Sequence, residues 1–207
     1  MSAPTAPVTI RRARGGLRRR ALAIMLTAVA CTAAVPAAAD AASPAPFAGF
    51  DLSEYLGTWH QLAAVPQAFN LVCARDTQAR YSLSPRGAVT VRNSCTTWTG
   101  QKNRIKGTAT VLDTKTDARL HVSFPGIPNP DRGRANYIVT AVGPDYSWAH
   151  VTDSRRGSGF VLSRTPSLSS KQWSAVRRAI ARAGNDDCLY LTSPTTGGFE
   201  QIRRLCD

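Results

Sequence analysis

The side chains best suited to catalysis or metal binding in this 207-residue chain are three histidines and five cysteines. His60, His121 and His150 are far apart in the sequence and belong to no H-E-x-x-H, G-x-S-x-G or Cys–His arrangement. The Asp and Glu residues form no paired carboxylates of the kind that acid–base catalysis uses. We therefore predict that the protein is not an enzyme and has no catalytic residues.

The first 41 residues have the pattern of an export signal. Six arginines precede an uncharged, largely apolar run over 21–34, and Ala39-Asp40-Ala41 fits a cleavage site. The run is shorter than the roughly 20 strongly apolar residues of a membrane span, although an uncleaved anchor is an alternative. Arg19-Arg20 leaves twin-arginine export open, and residues 28–31 loosely resemble a lipobox ending in Cys31. We expect a secreted protein, or one held at the cell envelope by a lipid on Cys31.

Removal of the signal changes the charge that the partners of the protein would meet. The whole chain carries a formal charge of +13; without six arginines and Asp40, 20 basic and 12 acidic residues leave +8. A basic domain favours anionic surfaces, so an anionic membrane is a candidate partner. Nucleic acid is not expected, because export removes it from reach and no block of Lys and Arg remains.

Removal of the signal also leaves an even number of cysteines: Cys73, Cys95, Cys188 and Cys206. In an oxidising compartment this number predicts two disulfides, and four cysteines allow three pairings among which these residues alone do not choose. There is no C-x-x-C, so neither a metal site nor a redox site is predicted.

Beyond a small, Pro-containing stretch at 42–49, interpreted as a flexible leader, turn-forming residues divide the chain into short segments with alternating polarity. Ala79, Tyr81 and Leu83, for example, fall on one face of a strand. This spacing is typical of an up-and-down barrel or a sandwich, and an eight-stranded barrel can hold one small ligand. The predicted strands are 58–65, 77–83, 88–93, 105–112, 120–124, 137–142, 147–152 and 160–164.

The periodicity changes after the eighth predicted strand. Ser169 is a good N-cap, and Trp173, Val176 and Ile180 fall on one face of a helix that Gly184 would end. A short ninth strand is predicted over 189–192. Residues 50–207 thus form one predicted domain.

Three segments carry a resemblance to a known family. Residues 50–59 read F-D-L-S-E-Y-L-G-T-W and end in G-x-W, Pro144-Asp145-Tyr146 forms a turn, and Leu162–Pro166 end the eighth predicted strand. In order and spacing these segments resemble the three signatures of the lipocalins, and within them the bacterial lipocalins and apolipoprotein D. The resemblance runs from residue 50 to the C-terminus. It implies an eight-stranded antiparallel up-and-down β-barrel with a C-terminal α-helix and a short ninth strand.

The resemblance also implies structural roles. In lipocalins the motif tryptophan closes one end of the barrel and the motif arginine stacks across it, so Gly57, Trp59 and Arg164 should form this seal. A partly desolvated guanidinium–indole contact contributes about 2 kcal/mol. Relatives often link a cysteine at the start of the second strand to one near the C-terminus, which implies the disulfides Cys73–Cys206 and Cys95–Cys188.

Alternation along the strands predicts which side chains face the barrel interior. They are apolar with a few phenol and indole groups, which suits a hydrophobic ligand held by few polar contacts. Phe69 is added because lipocalins carry a lid over the open end between strands one and two. Trp98 and Trp148 are expected near the rim or wall of the cavity. The predicted ligand-binding residues are Phe69, Ala79, Tyr81, Val89, Val91, Trp98, Val122, Phe124, Tyr137, Val139, Trp148, Phe160 and Leu162.

The function that the resemblance implies is that of a secreted carrier of a small hydrophobic molecule: a fatty acid, a lysophospholipid or an isoprenoid-like compound. No cofactor is expected. One alternative is haem binding through His121 or His150, or an isomerase-type enzyme on the same barrel. Another is an envelope interaction protein that acts through its basic surface. Ligand identity and oligomeric state stay open.

Overall fold

The computed structural model describes residues 42–85, 87–128 and 133–207. The predicted signal peptide, with Cys31, lies outside the described residues. Within the described ranges there are two α-helices and nine strands. They are α1 Leu52–Tyr55, β1 Gly57–Ala64, β2 Cys73–Leu83, β3 Val89–Thr97, β4 Lys102–Val111, β5 Arg119–Ser123, β6 Tyr137–Val142, β7 Trp148–Thr152, β8 Gly159–Ser163, α2 Ser170–Arg182 and β9 Leu191–Thr192.

Strands β1 to β8 form a closed antiparallel barrel. Each pairs with its neighbour in sequence, and β1 pairs with both β2 and β8. The pairs Trp59↔Ala79 and Gln61↔Leu162 mark the seam where the sheet closes. β9 adds to β1 at Ala63 and Ala64, beyond the closed ring. The predicted eight-stranded barrel with a C-terminal helix and a short ninth strand is confirmed.

Strands β2, β3 and β4 extend further than their apolar alternation predicts. The added residues form polar pairs such as Ser94↔Arg104 and Thr96↔Lys102. These pairs lie near the open end of the barrel, where both faces of the sheet are wetter and a hydrophobic period of two is therefore lost. Ladder hydrogen bonds, rather than side-chain burial, set the ends of these strands.

Helix α2 packs on the outside of the barrel. Ser169 accepts a hydrogen bond from the Gln172 amide, and the Gln172 side chain accepts one from the Ser169 amide, so the helix starts with a capping box. Val176 and Ile180 are buried together with Trp148 of β7. The helix ends at Arg182, and Gly184 follows with a φ of +76°, a conformation that glycine adopts without strain.

The segment 42–49, expected to be a flexible leader, makes specific contacts with the barrel. The Phe47 amide donates to the Val139 carbonyl at 2.8 Å, and the Arg119 guanidinium donates to the Pro44 carbonyl at 2.6 Å. Phe47 also packs against the barrel core. No helix in the described part of the chain is long and apolar enough to cross a membrane.

The two disulfides are Cys73–Cys95 and Cys188–Cys206, so the pairing implied by the resemblance is wrong. Cys73 begins β2 opposite Thr97 of β3, which places its Cα 5.6 Å from that of Cys95. The C-terminal tail returns to β9 through a bridge between Leu191 and Arg204, which brings Cys206 to Cys188. Local strand pairing therefore selects partners only 22 and 18 residues apart.

Candidate functional site

The barrel encloses a cavity of about 560 Å³, a volume typical of small-molecule sites. Its walls come from inward-facing positions on neighbouring strands, as in the row Ala79, Asn93 and Ile105. Nine of the thirteen predicted ligand-binding residues border it. They are Phe69, Ala79, Tyr81, Val91, Val122, Phe124, Tyr137, Phe160 and Leu162.

The other four predicted residues do not border the cavity. Val89 and Val139 are buried in the apolar core of the barrel. Trp148 faces outward and packs under α2, because Ala149 takes the inward position opposite Leu162. Trp98 follows β3 at the open end, is 66% exposed and donates its indole N–H to the Leu71 carbonyl at 2.8 Å.

Several polar residues that apolar alternation did not predict also line the cavity. Gln61 is two positions after Trp59, and Asn93 is two positions after Val91, so each lies on the inward face of its strand. Counting every second residue, whether apolar or polar, would have found both. The Asn136 side chain is satisfied by both backbone groups of Val122. The side-chain Oδ1 of Asn93 is buried and has no hydrogen-bond partner among the described residues.

The closed end of the barrel is sealed by Trp59 and Arg164. Trp59 is fully buried and donates its indole N–H to the Tyr55 carbonyl at 2.8 Å. The Arg164 guanidinium lies 3.8 Å from the centre of the indole and donates to the carbonyls of Glu54 and Thr58. Gly57 has a φ of +98°, and a Cβ there would lie 3.2 Å from the Arg164 guanidinium, so this position favours glycine.

Directly inside this seal three buried phenols meet, which we call the tyrosine cluster: Tyr55, Tyr81 and Tyr137. The Tyr137 hydroxyl lies 2.7 Å from that of Tyr55 and 2.8 Å from that of Tyr81. Burial raises the pKa of Tyr81 to about 12 and holds the pKa of Tyr55 and of Tyr137 well above the usual range. The cluster is therefore neutral at physiological pH, and its hydroxyls act as hydrogen-bond donors and acceptors.

The opposite end of the barrel, which we call the mouth, is formed by the connections 65–72, 98–101, 124–128 and 153–158 of the described chain. Large apolar side chains are exposed there. Basic side chains accompany them: Arg104 and Arg155 border the cavity, and Lys102 begins β4. The exposed apolar residues of the mouth are Phe69, Leu71, Val72, Trp98 and Ile127.

All three histidines lie in the described residues, and none borders the cavity. His150 is fully buried outside the barrel wall, where its two ring nitrogens lie 2.6 Å from the Thr140 hydroxyl and 2.8 Å from the Tyr190 hydroxyl. The His121 Nδ1 lies 2.8 Å from the Arg134 carbonyl. This arrangement offers no histidine to a haem inside the barrel.

The fold and the cavity match a known family. The family model for the lipocalin-like domain matches residues 50–194. The chain therefore belongs to the lipocalins, a family whose members in general bind and transport small hydrophobic molecules.

Individual relatives agree with this assignment. The chain is 31% identical to outer membrane lipoprotein Blc of Escherichia coli K12 over 174 residues, 81% of this chain and 95% of the relative. It is 32% identical to temperature-induced lipocalin-1 of Arabidopsis thaliana over 144 residues, 67% and 75% of the two chains. The solved structure of insecticyanin from the tobacco hornworm Manduca sexta matches with a TM-score of 0.54 at 17% identity, covering 76% of this chain and 91% of the other, which shows the shared fold.

Proposed function

We propose that this lipocalin binds one small hydrophobic molecule in the barrel cavity and carries it outside the cytoplasm. The observation that carries the proposal is the cavity itself: about 560 Å³, bordered by Val91, Val122, Phe124 and Leu162, and reached through the mouth. An apolar wall of this kind favours a ligand with a long hydrocarbon part over a compact polar one. Fatty acids, lysophospholipids and isoprenoid-like compounds meet this requirement.

Blocking the cavity tests the proposal. Ile105 borders the cavity near the mouth, whereas Leu112, just beyond the other end of β4, does not. Both are partly exposed, so tryptophan can replace either with little strain. We expect Ile105→Trp to weaken the binding of the fluorescent probe N-phenyl-1-naphthylamine by tenfold or more, and Leu112→Trp to leave it unchanged. Equal binding by both variants would contradict a ligand site inside the barrel.

The mouth favours a second activity, contact with an anionic membrane from which the ligand is taken or to which it is delivered. Leu71 and Trp98 are 78% and 66% exposed, and the basic side chains of Lys102, Arg104 and Arg155 lie at the same end. Apolar tips next to cations are typical of surfaces that insert between acidic lipid headgroups. The charge of +8 without the signal segment acts in the same direction.

Vesicle sedimentation tests this contact. We expect binding to vesicles that contain phosphatidylglycerol, weaker binding to pure phosphatidylcholine, and a decrease with added salt. Leu71→Gln should reduce the binding severalfold. Leu189→Gln, which changes an exposed leucine of the C-terminal region, is the matched control. If both variants sediment with vesicles to the same extent, the proposal that the mouth contacts the membrane is contradicted.

Export and the lipid anchor are part of the same proposal. The outer membrane lipoprotein relative supports a location at the cell envelope, and two disulfides suit an oxidising compartment. Mass spectrometry of the protein from its own host gives the mature N-terminus. A diacylated N-terminal Cys31 supports the tethered form, whereas a start at Ala42 supports the secreted form and a retained signal contradicts both.

A further inference from the structure

The tyrosine cluster contains one more hydroxyl proton than it can use internally. Three phenols bring three protons, and each hydroxyl can donate one hydrogen bond and accept others. Two O–O contacts, Tyr55–Tyr137 and Tyr137–Tyr81, use two of these protons. The described residues make no other hydrogen bond to the three hydroxyls. One O–H therefore remains without an acceptor among these residues.

The position of this spare proton follows from which of the three tyrosines border the cavity. Tyr81 and Tyr137 border the cavity, whereas Tyr55 does not. A buried donor without an acceptor is costly, so the favoured arrangement has Tyr55 donating to Tyr137. The spare proton then belongs to Tyr81 or Tyr137, and both can direct it into the cavity.

The chemistry of the acceptor follows from the surroundings. Of the described residues that border the cavity, Arg104 and Arg155 are the cationic ones, and both lie toward the mouth. Arg104 lies near the mouth because it pairs with Ser94, which is three residues before the end of β3 at the mouth. A carboxylate at the tyrosine cluster would lose its hydration, and no cationic side chain of the described residues borders the cavity there to pair with it directly, because Arg164 lies behind Trp59. A neutral carbonyl oxygen requires one good donor and no counter-charge.

We propose that the tyrosine cluster anchors a neutral carbonyl oxygen, as in a ketone, aldehyde or ester, at the inward-facing end of a hydrophobic ligand. The inference rests on the proposed carrier function and adds to it the polar group of the ligand and its orientation. The carbonyl end enters first, and the hydrocarbon part extends along the apolar wall toward the mouth. An amphiphile with its charged head at the cluster is thereby disfavoured.

A matched pair of probes tests the anchor. Tridecan-2-one and 2-methyltridec-1-ene have nearly the same shape, but only the ketone has an acceptor oxygen. Their affinities are measured by displacement of N-phenyl-1-naphthylamine from the wild type and from Tyr81→Phe/Tyr137→Phe, which removes both cavity-facing hydroxyls. We expect the ketone-to-alkene affinity ratio to fall about tenfold in the double variant, the value of one buried hydrogen bond.

Tyr55→Phe is the matched control. Its loss leaves two hydroxyls, one mutual hydrogen bond and again one spare proton, now shared by Tyr81 and Tyr137. The affinity ratio should therefore stay near that of the wild type, although an equally buried phenol has been removed. A fall in Tyr55→Phe as large as in the double variant would contradict the proton count.

An infrared measurement on the wild type avoids variants altogether. The carbonyl stretch of carbonyl-labelled tridecan-2-one should move to lower frequency on binding, relative to the ketone in hexane, because a hydrogen bond weakens the C=O bond. An unshifted band, or an unchanged affinity ratio with both probes bound, overturns the anchor and leaves the carrier function standing. If neither probe binds to the wild type, the anchor and the carrier function both fail.

Discussion

The closed end and the mouth of the barrel each have a tryptophan whose indole N–H donates to a backbone carbonyl at 2.8 Å. At the closed end Trp59 is fully buried beneath Arg164 and packs against the ring of Tyr55. At the mouth Trp98 is 66% exposed and holds the loop that carries Leu71. A tryptophan with the same type of hydrogen bond therefore closes the barrel at one end and presents an apolar surface to solvent at the other.

The two ends also differ in how completely their polar groups are paired. The Arg164 guanidinium and the Trp59 indole both find backbone carbonyls. Halfway to the mouth, the Asn93 oxygen is buried without a partner among the described residues. Pairing of the Trp59 and Arg164 donors stabilises the seal, whereas unmet hydrogen-bonding capacity inside the cavity is available to a ligand or to water.

The largest expected effect separates the two tryptophans. Trp59→Ala should lower the free energy of unfolding by about 3–5 kcal/mol, because it leaves a cavity in the core and removes the surface on which Arg164 stacks. Trp98→Ala should lower it by less than about 1 kcal/mol, since the indole is mostly in solvent. Urea denaturation of both variants measures the difference. Similar losses would show that the mouth is as rigidly packed as the closed end.

The next effect concerns the disulfides. Cys73–Cys95 borders the cavity toward the mouth and Cys188–Cys206 fixes the C-terminal tail. Replacing either pair with serine should cost about 3 kcal/mol in the chain-entropy model, because the closed loops are of similar length. Only loss of the Cys73–Cys95 bridge should also weaken binding of N-phenyl-1-naphthylamine. Peptide mapping under non-reducing conditions checks the pairing, and a peptide joining Cys73 to Cys206 would refute it.

The third expected effect is a dependence of stability on pH that comes from His150, which is buried outside the barrel wall. Burial lowers the pKa of His150 to about 3, so the native protein keeps this imidazole neutral where the unfolded chain takes up a proton. Stability from this group is complete above about pH 6.5 and should fall by roughly 1 kcal/mol per unit as the pH is lowered towards 3.

Urea denaturation at pH 7 and pH 5 measures this loss. His150→Gln should flatten the dependence, since no imidazole remains to titrate at that position. A slope unaffected by His150→Gln would assign the pH dependence to other groups.

The smallest expected effect concerns the polar wall of the cavity. Asn93→Leu replaces a side chain whose buried Oδ1 has no hydrogen-bond partner among the described residues with an apolar group of similar size, so stability should rise by about 1 kcal/mol. The affinity for 2-methyltridec-1-ene should increase a fewfold at the same time. Asn103→Leu, at an exposed cavity position on β4, is the control with little expected change. A loss of stability in Asn93→Leu would mean that the amide is paired through water.

Much of the fold could be predicted because it depends on local pattern. Alternation and turns located all eight barrel strands, and the N-cap Ser169, one apolar face and the stop at Gly184 located α2. The cavity was predicted less completely. Alternation was used to assign only apolar residues to the interior, so Gln61 and Asn93 were missed. Trp148, expected near the rim or wall of the cavity, packs under α2 instead.

The positions of the strands and of the helix could be deduced from the order of residues alone, because they follow from periods of 2 and 3.6 residues. The strand order of the barrel came from the resemblance carried by three short contiguous motifs. The pairing of the cysteines, the set of residues that border the cavity and the contact among three tyrosines from α1, β2 and β6 became known from the folded structure. The reason is physical: these contacts join residues distant in the chain, and barrel closure and strand register bring them together. The spare hydroxyl proton of the tyrosine cluster depends on the contact among all three tyrosines, so no single segment of the sequence predicts it.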